Sequence, residues 1–63
     1  MTVNVEELGE ITASKETLND ISIAYGISRD IYHKHGCHAL AYRCSKICGS
    51  IHVALEKSGY FND

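Results

Sequence analysis

From His38 to Ser58 the apolar residues return every third or fourth position, and this period constrains the fold more than any other feature of the 63-residue chain. At about 100° per residue, one arc gathers Leu40, Ala41, Cys44, Ile47, Cys48, Ile51, Ala54 and Leu55. Arg43, Lys46, Ser50 and Lys57 fall opposite. A half-buried strand needs strict alternation instead, so residues 38–58 read as an amphipathic helix. The run KSGYF closes it, with Lys57 in the last turn, Gly59 able to turn left-handed, and Tyr60 or Phe61 folding back. Tyr42, Gly49 and Val53 share the polar side of this helix. A tyrosine and a valine around a glycine permit close approach of another chain, so Tyr42, Gly49, Val53 and Tyr60 are the candidate partner-binding residues.

A second helix is expected over residues 14–35. Its start falls between Ser14 and Thr17, where Thr17 and Asp20 have the spacing of a capping box. Leu18, Ile21, Ala24, Tyr25, Ser28, Ile31, Tyr32 and His35 occupy an arc of about 140°. Ile23 and Ile27 point the other way, among Asp20, Asp30 and Lys34. Either they form a second contact surface, or the helix breaks at Gly26 and Ser28 caps a new one. The chain holds no proline, so only glycines and caps interrupt its helices. The acidic segment 1–13 alternates weakly and reads as a short helix, a strand or a loose arm.

The expected fold is all-α: one domain over residues 1–63, a helical hairpin or three-helix unit with its two main helices packed antiparallel through the Gly36 turn. Leu18, Ile21, Ala24, Ile31, Leu40, Cys44, Ile47, Ile51 and Leu55 should form its core. So short a chain buries only about 60% of the surface its unfolded form exposes. Two helices and an arm cover that much apolar arc poorly, so a homodimer or a complex with a larger protein is expected.

Charge divides the chain. Residues 1–27 carry Glu6, Glu7, Glu10, Glu16 and Asp20 against Lys15, a net charge of −4. Residues 28–57 carry Arg29, Lys34, Arg43, Lys46 and Lys57 against Asp30 and Glu56, a net charge of +3. An acidic front and a basic back suit head-to-tail association or an acidic partner. Three cysteines form no even framework, no signal sequence precedes them, and no run approaches the roughly 18 apolar residues of a membrane span. A reducing, cytoplasmic setting is the expectation.

The stretch LNDISIAYGISRDIYHKH, residues 18–35, resembles a helix-turn-helix. Ser22, a turn glycine at Gly26, and the anchors Ile27 and Ile31 or Tyr32 meet that spacing. The resemblance implies a recognition helix displaying Arg29, His33 and Lys34, with Arg43 and Lys46 adding phosphate contacts. Its second helix would end at Gly36 after barely two turns. His33, His35, Cys37, His38, Cys44, Cys48 and His52 offer ligand atoms, but no CxxC or HxxxH pair organises them, and Cys44 and Cys48 belong to the apolar arc. Neither a metal nor any other cofactor is therefore expected. Cys37 beside His38 lacks the third group that a catalytic thiolate needs, and an enzyme is not expected. What remains is a surface-acting binding protein that modulates or inhibits another protein, of the kind phages and mobile elements use. A compact helix-turn-helix regulator is the alternative.

Overall fold

The computed structural model describes residues 1–62. Two strands, β1 (Thr2–Val5) and β2 (Gly9–Thr12), precede two helices, α1 (Lys15–Lys34) and α2 (His38–Lys57). The molecule is mostly helical, but the N-terminal segment is an antiparallel hairpin, so neither an all-α fold nor a three-helix unit forms. The alternation Val3, Val5 carries the reason. Both valines turn inward and are buried while Thr2 and Asn4 stay outside. Leu8 N–H donates to the Val5 carbonyl at 3.1 Å, and Gly9 takes a φ of +77°, which closes the loop Glu6-Glu7-Leu8. Val3 then lies opposite Ile11 and Thr2 opposite Thr12, the two threonine hydroxyls 2.8 Å apart.

Ser14 caps α1: its Oγ accepts from the Thr17 N–H at 3.1 Å, so the helix begins at Lys15, within the expected interval. The helix does not break at Gly26. It runs unbroken to Lys34, because Gly26 and Ser22, one turn apart, form a trough against α2 that seats Cys48. The Ser22 hydroxyl donates to the Cys48 carbonyl at 3.2 Å. Both helices end in the same way. Cys37 N–H reaches the Tyr32 carbonyl and Gly36 N–H the His33 carbonyl; Tyr60 N–H reaches Leu55 and Gly59 N–H reaches Glu56. Each glycine is left-handed, at φ +76° and +83°.

The core joins the hairpin to both helices: Val3, Val5, Leu18, Ile47, Ile51 and Leu55, with Ile11, Ile21, Tyr25, Ala54 and Tyr60 packed around it. The α2 arc lies where its period places it, with Ala41, Cys44, Ile47, Ile51 and Leu55 buried. Three expected core residues do not belong there. Ala24 is exposed, and so are Ile31 and Leu40. The buried face of α1 is turned toward Leu18 and Ser22, away from Ala24 and Ile31. Ile31 and Leu40 also sit at the Gly36 end, whereas the hairpin covers α2 nearer its other end. No helix among the described residues is long and apolar enough to cross a membrane.

Candidate functional site

The hairpin creates a groove that no helix pair alone would have. Thr2, Val3 and Asn4 form one wall and Gly49, Ser50, Val53, Ala54 and Lys57 of α2 the other, around an open volume of about 550 Å³. Hydrogen bonding shows which edge of β1 faces it. Met1 and Ala13 exchange two main-chain hydrogen bonds, of 3.0 and 3.1 Å. Alternation from that pair makes Val3 and Ile11 a bonded pair and leaves the N–H and C=O of Thr2 and Asn4 pointing away from β2. No β2 residue lines the groove, so the free edge of β1 borders it. Gly49 widens it: a Cβ built there meets no atom within 4 Å. Val53 adds an apolar surface that is 47% exposed. The Ser50 hydroxyl already donates to the Lys46 carbonyl at 2.9 Å, and Lys57 supplies the groove's only formal charge among the lining residues.

Of the four candidate partner-binding residues, the groove brings Gly49 and Val53 together. Tyr42 lies elsewhere, in a shallow cleft of about 430 Å³ between the helices, with Arg29, Asp30, His33, His38 and Ser45. Its ring is exposed, with the Lys46 ammonium 5.1 Å from the centroid. Tyr60 folds back onto the core and meets Phe61 edge to face at 5.2 Å. Sequence reasoning did not place Thr2, Val3 and Asn4 in the site. A weak signal was present in the alternation of Val3 and Val5, which marks a half-buried strand; that one of its edges stays free is visible only in the two-stranded sheet.

The basic candidates are mostly occupied. Arg29 Nε bonds Asp30 at 3.1 Å, Lys46 reaches Glu6 at 3.3 Å, and Arg43 stands 3.9 Å from Glu7. The hydrogen bond and the negative charge of Glu6 raise the Lys46 pKa above its ordinary 10.5. His33 Nδ1 approaches His38 Nδ1 to 3.2 Å, and Lys34 has no acidic partner among the described residues. With α1 continuous, the turn that the helix-turn-helix resemblance requires is not formed. Cys37 is exposed, Cys44 buried and Cys48 partly buried, all as free thiols. No group of three side chains suited to a metal ion occurs among the described residues. In comparisons with protein-family models, curated proteins and solved structures, nothing matches this chain.

Proposed function

We propose that this chain is a small, non-catalytic binding module that modulates a larger protein by taking an extended segment of it along β1. The observation that carries this reading is the groove, in which an unpaired strand edge, the gap at Gly49 and the apolar surface of Val53 lie side by side. A segment laid there gains main-chain hydrogen bonds from Thr2 and Asn4, while alternate side chains enter the space over Gly49. Main-chain pairing with an apolar floor is little weakened by salt, unlike phosphate binding. DNA contact through Arg29, Arg43 and Lys46 would have to displace Asp30, Glu7 and Glu6. No observation in the molecule favours that second reading over the first.

Gly49→Leu is the informative variant, because it fills the groove from a helix position with open space above it and leaves the core alone. Tagged full-length protein is incubated with host lysate at high salt, with and without nuclease. A protein retained by the wild type through nuclease treatment and lost by Gly49→Leu supports the groove. Retention undiminished by Gly49→Leu overturns it, and recovery of nucleic acid alone favours the DNA reading.

A further inference from the structure

The outer face of α1 carries a stripe that the fold leaves uncovered. Ile23, Ile27 and Ile31 follow one another at successive turns and are 53%, 56% and 52% exposed. Three large β-branched side chains in one row, each more than half in water, exceed the scattered apolar residues of an ordinary surface. Two charges flank the stripe at equal distances along the helix, with Glu16 one turn further out beyond Asp20. Counting from Ile27, Ile23 and Ile31 lie four residues either way, and Asp20 and Lys34 lie seven either way. Neither Asp20 nor Lys34 has an ion-pair partner among the described residues. Asp30, at the margin of the stripe, is already held by Arg29 at 3.1 Å.

From this arrangement we infer that the stripe is the contact face for a second copy of the chain, with the two α1 helices antiparallel across a twofold axis at Ile27. That axis carries each residue to the level of its mirror position: Ile27 meets Ile27, Ile23 interdigitates with Ile31, and Asp20 faces Lys34, about 10.5 Å from the axis on either side. Parallel pairing would instead set Asp20 against Asp20 and Lys34 against Lys34. The charge order along the face therefore selects the antiparallel arrangement. The stripe lies on α1 and the groove on β1 and α2, so the dimer leaves the groove open. The two surfaces fail separately.

The test is the molar mass of the full chain by sedimentation or light scattering over a wide concentration range. The wild type is expected to dimerise reversibly. Ile27→Glu, at an exposed position, should keep the helical circular dichroism and raise the dimer dissociation constant about a hundredfold, since it buries two like charges on the axis. Asp20→Lys and Lys34→Asp should each weaken the dimer, and combining them should restore it. Val53→Glu, which spoils the groove, should leave it intact. A wild type that stays monomeric throughout overturns the inference, as does a dimer that survives Ile27→Glu. A double charge exchange that binds no better than either single variant also overturns it.

Discussion

Gly26 and Gly36 lie ten residues apart and do opposite things. Gly26 is inside α1, where a Cβ would meet only the Cys48 sulfur at 3.8 Å, an ordinary contact. Gly26→Ala is therefore expected to stabilise the fold by about 0.5–1 kcal/mol, because alanine forms helix more readily and restricts the unfolded chain. Gly36 holds φ at +76°, so Gly36→Ala should cost about 1–2 kcal/mol although a Cβ there meets nothing within 4 Å. Urea melts of both variants give the two signs directly. A loss at Gly26 would mean that the chain turns there. Sequence marks Gly36 as the turn between the helices and leaves Gly26 open between a helix interior and a break, since spacing alone does not reveal whether a glycine inside an apolar arc needs a positive φ. The trough that keeps Gly26 helical depends on Ser22 and on Cys48, a residue 22 positions further along.

Among the elements, α2 was legible because its apolar arc is wide and single, and the buried residues fall inside it. α1 was legible as a helix but not in its buried face, since it has two apolar stripes and period alone does not say which one faces the partner helix. The small residues Ser22 and Gly26 decide it, by admitting α2 closely on a side that looks less apolar. The hairpin is too short for alternation to stand out over only two valines. Val5 is nevertheless wholly buried, and Val5→Ala should cost about 2 kcal/mol through lost burial and the cavity left behind. Chemical denaturation measures this, and a near-neutral result would show the hairpin to be a loose arm. Ion pairs from Glu6 to Lys46 and Glu7 to Arg43 tie the loop to α2. Because Glu6 raises the Lys46 pKa, their bridge contributes fully below the lysine's ordinary 10.5 and fades as pH climbs through the raised value. Glu6→Gln should lower the melting temperature slightly near neutrality and flatten the alkaline loss, so that variant and wild type converge above the raised lysine value; the difference is small because the pair is exposed.

At the scale of the whole molecule, the core explains why so much apolar surface is left over. Six buried side chains joined to one another are few for a chain of 63 residues. The hairpin packs along α2 and leaves Leu40 near the Gly36 turn and the outside of α1 bare. The surplus is sorted by element, with Gly49 and Val53 in the groove beside β1 and the three isoleucines on α1. If α1 pairs with a second copy, part of the stability belongs to association, and the melting temperature must rise with protein concentration. Wild type and Val53→Glu should both show that rise over a tenfold change in concentration. Ile27→Glu should melt at one temperature throughout, because only the monomer remains to unfold. Equal flat lines for all three proteins would place the whole stability inside one chain, and the isoleucine stripe would then be free for some other partner. A rise lost in Val53→Glu instead would move the self-association from α1 to the groove, where it would compete with the extended segment proposed to bind there.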